Sequence, residues 1–151
     1  MPSHQKPQRA AGFTLVELLL AMVVIAILAA LAYPNFINQI RKARRSEAVA
    51  ALLAVVQAQE RWRSNNPNYA SDLTSTWPTG LGLPDKSSGQ YYAIALSACA
   101  PAEPATCFVA TATAMPGRSQ AADQGCTQLT VIVKAGSPSY LPSDSHRCWS
   151  Q

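Results

Sequence analysis

The longest apolar stretch of the chain runs from Phe13 to Phe36 and contains one charged residue, Glu17. As a helix it is long enough to cross about 30 Å of hydrocarbon, so the pattern predicts a membrane segment. No small-residue cleavage motif follows the apolar core, because Tyr33 and Pro34 come there instead. We therefore expect the segment to be kept as an anchor rather than removed as an ordinary secretory signal.

A second helical pattern follows directly, over residues 37–64. Its apolar positions recur at steps of three and four, which predicts an amphipathic helix. These positions are Ile37, Ile40, Ala48, Leu52, Val55 and Val56, and the polar Gln59 continues the same spacing. The Asn, Pro and Asp residues after Ser64 end the pattern, and Pro34 predicts a bend where the two helical segments join.

The remaining residues, 65–151, predict a small globular head. Residues 65–89 are rich in Pro, Gly, Ser and Thr and predict a connecting loop, and the Pro- and Ser-rich tail from Gly136 is expected to lack regular structure. Alternating or β-branched residues predict three strands, at 91–98, 107–114 and 128–134. The expected fold class is α+β, with an antiparallel sheet packed on the apolar face of the helix.

The four cysteines, Cys99, Cys107, Cys126 and Cys148, all lie in this head. They form no CxxC pair, so the pattern indicates disulfides and an oxidising compartment rather than a metal site. Cys99 and Cys107 flank the turn between two predicted strands, which favours pairing them and leaves Cys126 for Cys148. The sequence alone leaves all three connectivities open.

The basic residues give a conflicting signal about orientation. Lys6 and Arg9 precede the membrane segment, whereas Arg41, Lys42, Arg44 and Arg45 follow it. A count of positive charges would place the head in the cytoplasm. We give the cysteines more weight, because that rule is statistical, and expect a periplasmic head. The cluster from Arg41 to Arg45 is interpreted as a solvated helix face near lipid headgroups.

The segment "GFTLVELLLAMVVIAIL" resembles the type IV prepilin signature: a short basic leader ending in Gly12, then Phe13, a glutamate four residues later, and an unbroken apolar helix. Farther along, "AQERWRSNNPNYA" and the positions of Cys126 and Cys148 resemble PilE-like minor pilins, and "TSTWP" is similar to competence pilins. The resemblance implies a leader, residues 1–12, that prepilin peptidase removes, with N-methylation of the new first residue, Phe13.

The same resemblance implies the type IV pilin fold, in which a long N-terminal helix packs on a four-stranded sheet with a cysteine-bounded loop near the C-terminus. The three strands predicted from the pattern are one too few, so a fourth is expected around residues 139–141. The implied partners are other pilin subunits and the inner-membrane assembly platform. Glu17 is expected to take part in filament assembly by pairing with the amine that cleavage creates on Phe13. Such a partner would explain why a carboxylate lies in an otherwise apolar segment.

Three alternatives remain. A competence pilin would bind DNA, with Lys86, Lys134 and Arg147 as contacts, and we expect such binding to be weak and salt-sensitive. A type II secretion pseudopilin is disfavoured because the common major pseudopilins rely on a bound calcium ion. The second half of this chain has few clustered Asp residues that could hold one. A periplasmic enzyme is disfavoured because "SDSHRC", residues 143–148, has the wrong spacing for a catalytic triad or a structural zinc site. We expect no cofactor and no metal.

Overall fold

The computed structural model describes residues 12–100, 104–143 and 146–149, with the backbone alone for residues 146 and 147. Within them, one long helix precedes four strands and two short helical turns. In chain order the elements are α1 (Leu15–Arg63), β1 (Tyr92–Ala98), β2 (Cys107–Ala114), a 3₁₀ turn (Ser119–Ala122), β3 (Gln128–Lys134), β4 (Ser137–Leu141) and α2 (His146–Trp149). The α+β class and the pilin-like architecture are therefore confirmed.

The start of α1 is fixed by a local hydrogen bond. The Thr14 hydroxyl oxygen accepts the backbone N–H of Glu17 at 3.3 Å. A threonine followed three residues later by a glutamate has the spacing of a capping box, and a carboxylate in the first turn also interacts favourably with the helix dipole. Glu17 therefore also belongs to the N-terminal cap of α1, a role beyond the one expected from the sequence.

The helix continues through Pro34, and the bend there stays a prediction. The contacts divide the chain into two compact units, Met1–Ile37 and Asn38–Gln151. The predicted boundaries at residues 12, 36 and 64 stay predictions as well, and all of the predicted leader except Gly12 lies outside the described residues.

The second unit contains a four-stranded antiparallel sheet in the order β1-β2-β3-β4. Each strand pairs with the next one along the chain, so the sheet is a meander. On its outer face the hydroxyls of Thr111 and Thr130, which are directly paired, lie 3.4 Å apart. The inner face carries the apolar side chains that contact α1.

The tail corrects one expectation. The prediction that it lacks regular structure from Gly136 onward is wrong, because it contains β4 and α2. Ala135 and Gly136 both have positive φ, 49° and 78°, which is what a two-residue turn between antiparallel strands requires. Pro138 is tolerated because β4 is an edge strand, where a missing N–H need not break a hydrogen bond to a further strand. The fourth strand implied by the family resemblance is present.

The core of the head lies between the second half of α1 and the sheet. Helix positions one turn apart are buried and meet side chains from the first three strands. The fully or almost fully buried members are Ala48, Leu52, Val55, Tyr92, Phe108, Ala110, Ala112, Leu129, Val131 and Val133. Burying each Leu, Val or Phe side chain contributes about 1.5 to 3 kcal/mol, so this cluster supplies most of the driving force for folding of the head.

Two disulfides close the head, and no cysteine among the described residues is free. Cys99 pairs with Cys107 at a Cα separation of 5.8 Å, across the connection between β1 and β2. Cys126 pairs with Cys148 at a Cα separation of 5.5 Å and fastens α2 to the segment just before β3. The second pair confirms the expected disulfide near the C-terminus.

Candidate functional site

The N-terminal unit presents an apolar surface with no covering partner among the described residues. Every described side chain from residue 12 to residue 36 is exposed. Phe13 is 82% exposed, and Val24, the least exposed of the large apolar side chains here, is 49% exposed. α1 is also long and apolar enough to cross a membrane. So large a continuous apolar surface requires lipid or other helices around it.

Gly12 and Phe13 precede this helix, and Glu17 lies in its first turn. A Cβ atom added at Gly12 would meet nothing within 4 Å, so a side chain there would not disturb the structure. The fold therefore does not require a glycine at residue 12. A requirement for glycine would have to come from outside the folded chain.

The basic residues after the membrane segment are partly engaged by the head. The guanidinium of Arg45 donates two hydrogen bonds of 2.6 Å to the two carboxylate oxygens of Asp123. Their side chains are only 16% and 4% exposed. The hydrogen bond to Asp123 raises the pKa of Arg45, which stays charged at all physiological pH values. The interpretation of this cluster as a solvated face is thus wrong for Arg45.

Asp123 belongs to a buried polar network that joins α1 to the 3₁₀ turn. The Gln120 amide donates to the Tyr92 hydroxyl at 2.8 Å and to the Asp123 carboxylate at 3.1 Å. The Tyr92 hydroxyl in turn donates to the Cys126 carbonyl at 3.4 Å. Burial raises the pKa of the Tyr92 phenol, so it remains a neutral donor. The network fixes the part of α1 that carries Arg45 relative to the sheet.

A second group of basic residues surrounds one aromatic ring. The Arg44 guanidinium lies 4.1 Å from the centroid of the Tyr91 ring, and that of Arg118 lies 5.9 Å from it. Arg44 also donates to the Ser119 hydroxyl. We call Arg44, Tyr91 and Arg118 the Tyr91 cluster. Cation–π contact holds both guanidinium groups at the surface without neutralising their charge.

Of the three residues predicted to contact nucleic acid, Lys86 and Lys134 lie far apart. Lys86 pairs with Ala93 of β1, and Ala93 pairs in turn with Thr113 near the end of β2. Lys134 pairs with Cys107, at the opposite end of β2. Six residues of a strand correspond to about 20 Å. Lys86 lies in the segment that leads into Tyr91, so it is close in sequence to the Tyr91 cluster.

Arg147 lies in α2, but its side chain is outside the described residues, so its predicted role stays a prediction. Neither Tyr91 nor Arg118 was among the site residues predicted from the sequence. Their contact with Arg44 depends on tertiary structure. The one sign of this cluster in the sequence was Tyr91, an aromatic residue next to β1.

A further aromatic pair lies at the C-terminal end of α1. The rings of Trp62 and Trp77 meet edge to face with centroids 5.1 Å apart, and Trp77 is 60% exposed. The Trp62 indole N–H donates to the Asn68 carbonyl at 3.1 Å. The guanidinium of Arg63 donates hydrogen bonds to the carbonyls of Asn66 and Pro67. This end of the helix is thus held by its own following loop.

Metal-ligating groups do not gather in the part of the chain that the structure describes. The cysteines there are in disulfides and offer no thiolate. Residues 144 and 145 of the "SDSHRC" segment lie outside the described residues.

The exposed apolar helix, the four-stranded meander and the C-terminal disulfide together define the class of type IV pilins. The model of the family described as "Type IV minor pilin ComP, DNA uptake sequence receptor" matches residues 34–130, which is more than half of the chain. A model described as "Prokaryotic N-terminal methylation motif" matches residues 7–33. The chain therefore belongs to the ComP family of type IV minor pilins. No curated protein and no solved structure matches it.

Proposed function

We propose that this protein is a minor, non-enzymatic subunit of a type IV pilus, anchored as a precursor in the inner membrane with its head in the periplasm. The observation that carries this proposal is the apolar surface from Phe13 to Phe36, which is exposed along its whole length. In the precursor, lipid covers this surface. In the filament, the helices of other subunits cover it, and the exchange of lipid for protein is the assembly step.

The charge of Glu17 sets the axial position at which the subunit enters the filament. Prepilin peptidase cuts between Gly12 and Phe13, and this cut creates a positively charged amine on Phe13. Two opposite charges about 4 Å apart attract by roughly 4 kcal/mol at an effective dielectric constant of 20. This attraction offsets the cost of burying the carboxylate among apolar helices, provided that the amine of the same or a docked subunit lies beside it.

Processing is tested by mass spectrometry of the protein from membranes and from sheared pili. We expect a chain that begins at a methylated Phe13. Gly12→Val should block the cut, because the peptidase must approach a backbone without a side chain, while the structure gives the new side chain no steric conflict. An intact head, monitored by the Cys126–Cys148 disulfide, is the control. A wild-type chain that keeps residues 1–12 in pili would contradict the proposal.

A second candidate function is DNA binding for uptake, favoured by the family match and by the Tyr91 cluster. Exposed Lys and Arg side chains bind phosphates, and an aromatic ring among them can contact sugars or bases. We propose Arg118 and Lys86 as phosphate contacts, because both are exposed and lie on the segments that flank Tyr91. Lys134, at the far end of the sheet, is proposed to contribute less.

The DNA function is tested by fluorescence anisotropy of a labelled duplex with the full-length protein in detergent, over a series of salt concentrations. Arg118→Gln and Lys86→Gln should each weaken binding and reduce the slope of log Kd against log salt by about 1. Lys134→Gln is the matched loss of one charge and should leave the slope almost unchanged. Equal slopes for the wild type and for all three variants would contradict this placement.

A further inference from the structure

A basic cleft lies within the second unit at the start of the head. It has a volume of about 610 Å³ and is lined on one side by α1, with Asn38, Arg41, Lys42 and Arg45, and on the other by Asp123 and Gln124 after the 3₁₀ turn. We call it the Arg41 cleft. It lies outside the Tyr91 cluster and shares no residue with it.

The charges in the Arg41 cleft are not balanced. Both carboxylate oxygens of Asp123 accept hydrogen bonds from Arg45, and one of them also accepts from Gln120, so this acid is already engaged. Among the described residues, Arg41 and Lys42 have no ion-pair partner, and the Arg41 Nε is buried with no hydrogen-bond acceptor. A buried donor without an acceptor is costly, so the cleft favours an anionic oxygen ligand.

The position of the cleft along the chain indicates which anions it can meet. Its first residue, Asn38, follows directly on Ile37, where the N-terminal unit ends. Arg41 follows Phe36, the last residue of the apolar segment, by only five residues. When the apolar segment spans a bilayer, so short a connection keeps Arg41 and Lys42 within reach of the headgroup layer, where basic side chains attract anionic lipids.

We propose that the Arg41 cleft binds the phosphate of an anionic phospholipid headgroup while the precursor is in the membrane. This proposal rests on the proposed membrane-anchored stage. Arg41 and Lys42 would contact the phosphate, and the amides of Asn38 and Gln124 can donate to the rest of the headgroup. The ligand supplies the negative charge that the cleft lacks, and it explains why basic residues follow the span on the side where the disulfides form. Extraction into the filament breaks the contact.

The test uses full-length protein reconstituted in vesicles of phosphatidylcholine and phosphatidylglycerol, then extracted in mild detergent. Mass spectrometry measures the ratio of the two lipids that co-purify. Each basic contact changes lipid partitioning about fivefold, so the ratio of phosphatidylglycerol to phosphatidylcholine retained by the wild type should be roughly 10 to 30 times the ratio in the vesicles. Arg41→Gln combined with Lys42→Gln should retain the two lipids near their vesicle ratio, and Lys42→Gln alone should fall between.

The matched control is Arg61→Gln combined with Lys134→Gln, which also removes two charges and should keep the wild-type enrichment. Flotation of the vesicles reports anchoring separately, so a protein that fails to float contradicts the membrane stage rather than the cleft. Equal enrichment in the wild type and the Arg41/Lys42 variant overturns the proposal. It is also overturned if that variant loses affinity for a DNA duplex and not for phosphatidylglycerol, which would make the cleft a nucleic-acid site.

Discussion

At the scale of single residues, Arg45 and Asp123 connect the basic helix face to the head. Their charged groups are mostly removed from water and are satisfied by each other. Such a pair adds little compared with apolar packing, but the loss of one partner leaves the other charge buried and unpaired. The pair could not be predicted from the sequence, because 78 residues separate its members and no local pattern marks the contact.

Asp123→Asn should therefore lower the free energy of unfolding of the head by about 3 kcal/mol. Unfolding in urea, followed by near-UV circular dichroism of the full-length protein in detergent, measures this change. Asp85→Asn removes an exposed carboxylate and should change the free energy by less than about 0.5 kcal/mol. If the two variants unfold at the same urea concentration, Asp123 does not stabilise the head through Arg45.

At the scale of elements, periodicity predicted α1 and the first three strands because their inward faces carry the apolar side chains. β4 has no such face, since all five of its residues are exposed, and the turn of Ala135 and Gly136 defines it instead. The cleavage motif and Glu17 could be identified from the sequence because they lie within one short stretch. The Tyr91 cluster could not, because its residues come from three separate segments.

The two disulfides should differ in their contribution. The chain-entropy account gives about 3.4 kcal/mol for a loop of the size closed by Cys126 and Cys148 and about 2.6 kcal/mol for that closed by Cys99 and Cys107. The Cys126–Cys148 disulfide also fastens α2, in which Cys148 is only 2% exposed. We therefore expect Cys126→Ser with Cys148→Ser to lower Tm more than Cys99→Ser with Cys107→Ser. The reverse order in thermal melts would contradict this ranking.

At the scale of the whole molecule, the two units differ in how they are stabilised. The second unit buries its own core between α1 and the sheet. In the first unit, no described side chain from residue 12 to residue 36 is buried, so its stability depends on what surrounds it. This difference is what a subunit needs if it must leave a membrane and enter a filament while its head stays folded.

The most direct test of this account is the amount of the Glu17→Gln variant in sheared pili, measured by immunoblotting against the membrane fraction. Glutamine keeps the shape of the side chain and suits the capping box as well as glutamate does, so the variant removes the charge and spares the start of the helix. Cleavage after Gly12 and formation of both disulfides, checked in the same samples, serve as controls. We expect cleaved, folded protein that accumulates in the membrane and is strongly reduced in pili. Incorporation of the variant at the wild-type level would contradict the account, because assembly would then not depend on the charge of Glu17.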